Sequence, residues 1–262
     1  MSLMDIANET QDVVDTAAGG GDFKPPREGV ALLRLCSVIE LGTYAGEWKG
    51  KAKENKKVLI EFELVHPDHK ILNKSGEFKG YHKVMVRVNK SGHAKSKYMA
   101  LFNKLNYDGS VHYQKDTIPA LSRFLGQAFL GTVYHNVYKE KTYANLDKDG
   151  VYSIGAPRSP ITNLGMPTGE YEDIPVPEMN VKPRLFMWEA PGMPDAGYHK
   201  MWESLFIEGE KEDGTSKNWI QNLILSDENI ALHGSKAEQL FVEGGALNDM
   251  SIDIISCDPS LD

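Results

Sequence analysis

Aromatic rings and cationic side chains recur together three times in the first 150 residues. Tyr44 and Trp48 stand with Lys49, Lys51 and Lys53, with Lys57 a little further on; Tyr81 stands with Lys83 and Arg87; Tyr134, Tyr138 and Tyr143 stand with Lys139 and Lys141. Ammonium and guanidinium groups neutralise a phosphate backbone, and flat rings offer bases a surface to stack on. Trp48 is the most informative of these residues. It lies among glycines and lysines, at Gly46, Lys49 and Gly50, where there is little core for an indole to join.

Other chemistries fit less well. Gly46-Glu-Trp-Lys-Gly50-Lys51-Ala52 has three residues between its glycines where a phosphate-cradling loop needs four, and Ala where that loop needs Ser or Thr. His66-Pro-Asp-His69 brings two imidazoles and a carboxylate together but has no third cluster to complete a metal site, so these read as loop histidines. The chain has no Gly-x-Ser-x-Gly elbow and no His-Glu-x-x-His. Glu61 and Glu63 share one face of a strand, as a nuclease pair would. Two acids on the solvent side of a strand are more simply read as solvated.

The elements that must position these residues can be read from periodicity. Val30–Leu41 reads as a long strand ended by Gly42, and the segment from Tyr44 to Lys53 as a loop broken by glycines. Lys57–Val65 alternates, with Val58, Ile60, Phe62 and Leu64 on the core face. A second long loop spans 66–80. Tyr81–Val88 alternates again, with His82, Val84, Val86 and Val88 inward and Tyr81, Lys83, Met85 and Arg87 outward. Ser96 is placed to cap a helix carrying Tyr98, Leu101, Phe102 and Leu105. A second helix is expected from Asp116 or Thr117 to Gly126. Phe129–Tyr138 is the fourth strand, with Tyr134 and Tyr138 on one side, and Lys141–Leu146 with Val151–Ile154 forms a fifth strand or hairpin.

Beyond these strands the composition changes. Residues 1–29, with three successive glycines and Pro25-Pro26, read as a flexible lead-in. Residues 156–183 are rich in proline and read as a linker. Residues 184–248 hold helical stripes of Tyr198, Trp202, Leu205 and Phe206 and of Trp219, Ile220, Leu223 and Ile224, then a capping box at Ser235–Glu238. Residues 249–262 form an acidic tail with Asp249, Asp253, Asp258 and Asp262.

Charge divides along the same lines. Residues 44–104 hold 14 Lys+Arg against 6 Asp+Glu, within a chain whose net charge is −8. A basic, ring-bearing β module inside an acidic chain suggests a polyanion surface. The two cysteines, Cys36 and Cys257, show no ligand spacing and suit a reducing compartment. No apolar run approaches the ~20 residues of a membrane span, and the N-terminus lacks a secretory pattern.

Strand, strand, strand, helix, strand, strand, with long loops before the second and third strands, is the order of the five-stranded OB-fold barrel. The expected class is mainly β with helices (α+β), with residues 30–155 as the barrel. At this level the chain resembles the single-stranded DNA-binding proteins of tailed bacteriophages. The resemblance rests on the Val30–Leu41 strand, the Trp48-Lys-Gly-Lys51 loop, the Lys57–Val65 strand, the helix before Phe129 and the acidic end. It implies that Tyr44, Trp48, Lys51, Tyr81, Lys83 and Arg87 contact the strand and that the tail meets replication proteins. It also implies that the protein works without a cofactor, as a binding protein and not an enzyme, in the cytoplasm of an infected bacterium. Self-association is compatible with it. The chain departs from the family in its sparsely acidic tail, which lacks a terminal aromatic residue, and in the Trp-bearing helical region before it. Two other readings remain: a phage structural or assembly protein that ignores nucleic acid, and a metal-dependent nuclease using Glu61 and Glu63.

Overall fold

The first strand, β1 (Gly29–Trp48), runs straight through the glycine expected to end it. A two-residue turn at Lys49-Gly50 then returns the chain as β2 (Lys51–Leu64). The expected loop from Tyr44 to Lys53 is therefore the distal part of one long hairpin. Both turn residues have positive φ, 52° at Lys49 and 75° at Gly50. That is the geometry a two-residue turn needs to match the right-handed twist of its strands. The structure is a computed structural model describing residues 25–230 apart from 74, 139–140, 164, 191–193, 212–213 and 227.

The chain divides into two compact units: residues 1–40 with 55–185, and residues 41–54 with 186–262. The first unit is mainly β. Its sheet contains the run β10-β6-β1-β2-β5, in which β5 is Lys83–Asn89, β6 is Ala128–Tyr138 and β10 is Ile154–Gly155. β6 lies antiparallel to β1 with Leu32 opposite Leu130, and β2 lies antiparallel to β5 with Ile60 opposite Val86. β7 (Lys141–Asn145) pairs with β6. Two short ladders complete this part: β3 (Lys70–Leu72) with β4 (Phe78–Tyr81), and β8 (Asp147–Lys148) with β9 (Val151–Tyr152). No closed barrel forms among the described residues.

One sheet face carries the main core. Ala31, Leu33, Val58, Ile60, Phe62, Leu64, Val84, Val86 and Val88 pack there with Phe129 and Val133. Complete burial of such a side chain contributes about 1.5–3 kcal/mol. Helix α1 (Lys97–Leu105) adds Tyr98, Leu101, Phe102 and Leu105 to this core. Its N-cap is Ser96, whose Oγ accepts from the Met99 N–H at 3.1 Å, as expected. The second expected helix shrinks to a 3-10 turn over Leu121–Phe124. Leu121 and Phe124 still point inward, so burial follows the pattern although the helix does not form.

The opposite face is partly covered by the chain's own Pro-rich return. Where a linker is expected, β11 (Arg158–Asn163) and β12 (Met166–Asp173) form an exposed antiparallel hairpin. The chain then comes back over the sheet through Ile174, which packs with Leu32 and Val65. Prolines 175 and 177 supply no N–H for strand pairing. Arg34 anchors the segment instead: Nη2 donates to the Val176 carbonyl at 2.8 Å and Nε to that of Pro177 at 2.8 Å, while Nη1 donates to Gly126 O at 3.0 Å. β13 (Arg184–Phe186) carries the chain from the first unit into the second.

In the second unit, α2 (Asp195–Ser204) and α3 (Trp219–Ile224) bury Tyr198, Met201, Trp202, Ile220 and Ile224. Phe186 lies edge-on to Trp202, their centroids 5.6 Å apart. Phe206, expected on the same stripe, is exposed, whereas Leu205 before it is buried. The capping box at 235–238 and the acidic residues Asp249, Asp253, Asp258 and Asp262 lie outside the described residues. Among the described residues no helix is long and apolar enough to cross a membrane.

Candidate nucleic-acid interface

The distal β1–β2 hairpin is locked at its root by a single amide. Asn229 is fully buried. Its Oδ1 accepts from the Thr43 N–H at 3.0 Å, and its Nδ2 donates to the carbonyls of Leu41 (3.0 Å) and Ile224. This contact needs Gly42, whose φ is +120°; a Cβ there would lie 2.1 Å from Asn229 Oδ1. Tyr44 belongs to the same root. It is buried, and its hydroxyl donates to Leu223 O at 3.0 Å, so it is a packing residue and not the ligand contact expected.

The exposed end carries the chemistry. Trp48 is 65% exposed immediately before the turn, and Lys49, Lys51 and Lys53 are exposed around it. Lys49 Nζ sits 5.7 Å from the centroid of the Trp48 ring. A non-glycine residue at φ 52° is disfavoured, and asparagine tolerates that position better than lysine does. Lys49 thus adopts the positive φ that the two-residue turn imposes, with its ammonium beside an exposed indole.

Two further surfaces lie within the first unit. On the face of β2–β5 opposite the main core, Arg87 pairs with Leu59, Met85 with Glu61 and Lys83 with Glu63. Arg87 and Met85 are exposed and Lys83 half-buried, in the alternation expected. Lys57, opposite Asn89, is half-buried. On β6–β7, Tyr134 lies opposite Asn145, Tyr143 opposite Asn136, and Lys141 opposite Tyr138. Directly paired residues share a face, so the three tyrosines and Lys141 form one ring-and-cation surface. Tyr138 and Tyr143 are exposed; Tyr134 is half-buried, its hydroxyl 2.8 Å from Ser153 Oγ. Lys139 lies outside the described residues.

The two glutamates are buried, not solvated. Glu61 Oε2 accepts from the Ser37 hydroxyl and lies 3.8 Å from Arg184 Nη1. Glu63 Oε2 accepts from the Asn180 N–H at 2.9 Å. Ser37 on β1 and, from the returning segment and the strand after it, Asn180 and Arg184 supply the partners, and burial withdraws the carboxylates from the surface a nuclease substrate would meet. Cys36 lies beside them, its thiol donating to Glu61 O at 3.3 Å. Burial first, then the Glu61 charge, pushes that thiol up to about 12, so it is inert at neutral pH.

The histidine pair proves to be a structural corner. His66 Nδ1 accepts from the Asp68 N–H at 3.3 Å, and Arg27 holds Asp68 at 3.0 Å. His69 is buried, and desolvation, followed by the neighbouring His66, pushes its pKa down to about 4. Among the described residues no group of three or more His, Cys, Asp or Glu is placed to hold a metal ion.

Tyr81 also changes role. It packs against Leu32, Val65 and Ile174 and supports the ring of Phe78, centroids 5.0 Å apart at 65°. Phe78 is exposed and was absent from the expected set. The sequence offered one signal, the Asn73-Lys-Ser-Gly76 turn that Phe78 follows; in the structure Asn73 Oδ1 accepts from the Ser75 and Glu77 N–H groups. No family model matches the sequence, and no curated protein matches it as a relative.

Proposed function

We propose that this chain binds single-stranded DNA without regard to sequence, through lysine–phosphate contacts and stacking of bases on exposed rings. The observation that carries the reading is the end of the β1–β2 hairpin, where an exposed Trp48 is flanked by Lys49, Lys51 and Lys53 and Lys49 itself occupies the turn. An exposed indole among cations is the combination a single strand needs, and duplex DNA keeps its base faces stacked out of reach.

The strand pairing of the first unit supports an OB-type reading of it. β1 pairs with β2 and with β6, β2 with β5, and β6 with β7, while β7 runs close to β5. α1 falls between β5 and β6 in the chain. A partly open five-stranded Greek-key barrel has this order. With the middle of the sheet covered, Arg87 and the β6–β7 tyrosines are left among the surfaces of this unit that can meet the strand. The wider assignment, to phage replication or recombination in an infected bacterial cell, with no cofactor and replication proteins as partners of the C-terminal region, extends the sequence resemblance.

The test is a tryptophan-fluorescence titration of the full chain with oligo-dT of about 30 nucleotides, against a duplex of equal length. Quenching by the single strand, relieved by salt and reduced in Trp48→Ala, is expected. No response to either ligand at low salt overturns the proposal. An assembly role would then gain ground, with the exposed β11–β12 hairpin as the surface to pursue.

A further inference from the structure

The β3–β4 hairpin carries an exposed aromatic that neither the main core nor the small second cluster uses. Phe78 is 46% exposed. It is held in place, because Tyr81 is seated on Leu32, Val65 and Ile174 and lies beneath its edge. Rigid support matters: a ring fixed before binding loses little rotamer freedom when a base stacks on it. The hairpin is also cationic. Lys79, next in sequence, is exposed, and Lys70 lies directly across from Tyr81 in the ladder. The turn linking the strands is pinned at 3.0 and 2.8 Å by the Asn73 side chain, with a further bond of 2.8 Å from its Nδ2 to Glu77. A folded, charged hairpin thus presents one uncovered ring on a second ring.

We infer that Phe78, supported by Tyr81 and flanked by Lys70 and Lys79, is a separate base-stacking subsite for single-stranded DNA on the first unit. The inference rests on the single-strand reading given above. It extends that reading from a patch at one hairpin end to at least two places where a base is held. Phe78 supplies the π-face, Lys79 meets the neighbouring phosphate, and Tyr81 acts as a positioning residue that keeps the Phe78 ring from turning away.

The experiment compares the full chain with Phe78→Ala, Phe78→Leu and Phe78→Trp, using anisotropy of labelled oligo-dT of about 8 and about 30 nucleotides. Phe78→Ala and Phe78→Leu should weaken binding of the longer strand about ten-fold, a typical loss for one stacked base. Leucine keeps the apolar contact with Tyr81 but has no flat face, so an equal loss in both variants assigns the effect to stacking. Phe78→Trp alone should bind as tightly as the unsubstituted chain, and its indole, read as the difference between Phe78→Trp in a Trp48→Phe background and Trp48→Phe by itself, should be quenched by the strand. Phe78→Leu binding as tightly as the unsubstituted chain, with no strand-induced quenching of the indole introduced by Phe78→Trp, overturns the subsite while leaving the single-strand reading intact. Failure of the unsubstituted chain to bind either oligonucleotide overturns both.

Discussion

Two hairpins in this protein are largely exposed, and they are built in opposite ways. The distal β1–β2 hairpin is basic at Lys49, Lys51 and Lys53, shows Trp48 to solvent and is locked at its root by the Asn229 amide on Leu41 and Thr43. The β11–β12 hairpin is acidic at Glu170, Glu172 and Asp173 against one Arg158. It shows Tyr171 to solvent, and its register shifts between Pro160 and Thr162. Each has an exposed aromatic, so exposure alone does not mark a nucleic-acid contact. The sign of the surrounding charge decides which polymer a ring can meet, and the root decides whether the ring is held still.

The largest effect should come from the roots. Gly42→Ala places a methyl group 2.1 Å from Asn229 Oδ1 at a φ of +120° and should destabilise the second unit by roughly 3–4 kcal/mol. Gly169→Ala, at φ +87° with open space around it, should cost only about 1 kcal/mol of backbone strain. Urea unfolding of the two variants measures the contrast, and equal losses would refute a built root.

Acid provides a control that acts on neither hairpin. His69 has a folded pKa of about 4 against an ordinary 6.5. The unfolded chain therefore binds its proton first, and stability present above pH 6.5 is lost as pH falls toward 4. The loss reaches about 3 kcal/mol by linkage. His69→Gln should flatten the stability profile in that window; an unchanged profile removes His69 as its cause.

On binding, Trp48→Ala should weaken oligo-dT affinity by about 1–3 kcal/mol, while Tyr171→Ala changes nothing. Similar losses in both would erase the distinction between the hairpins. The smallest effect tests the strained turn. Lys49→Asn should stabilise the hairpin by a few tenths of a kcal/mol, since Asn accepts positive φ more readily. It should also lower the slope of log affinity against log salt by about 0.7, one phosphate contact fewer. A slope that stays put would take Lys49 out of the contact.

Much of the first unit was legible because its signals are local. Val58, Ile60, Phe62 and Leu64 and then Val84, Val86 and Val88 announce their faces by a period of two, and the structure buries them all. Ser96 announces a helix start through its own hydroxyl. Tyr134 and Tyr138 share a side in the sequence and in the ladder. The boundary at Gly42 was misread because a strand buried on both sides has no alternation, and because glycine there makes room for a distant side chain instead of ending the element.

Which faces are apolar and where the cations gather follow from residues within a few positions of one another, and the residue order alone sets them. Which polar and aromatic groups those faces leave uncovered depends instead on contacts between segments far apart in the chain. Tyr44 became a packing residue through Leu223, 179 positions away, and Glu63 became buried through Asn180, 117 positions away. Phe78 is exposed beside Tyr81, whose own seat is the cluster that the remote Ile174 joins. Burial depends on which remote segment returns to cover a surface, and no local period carries that information.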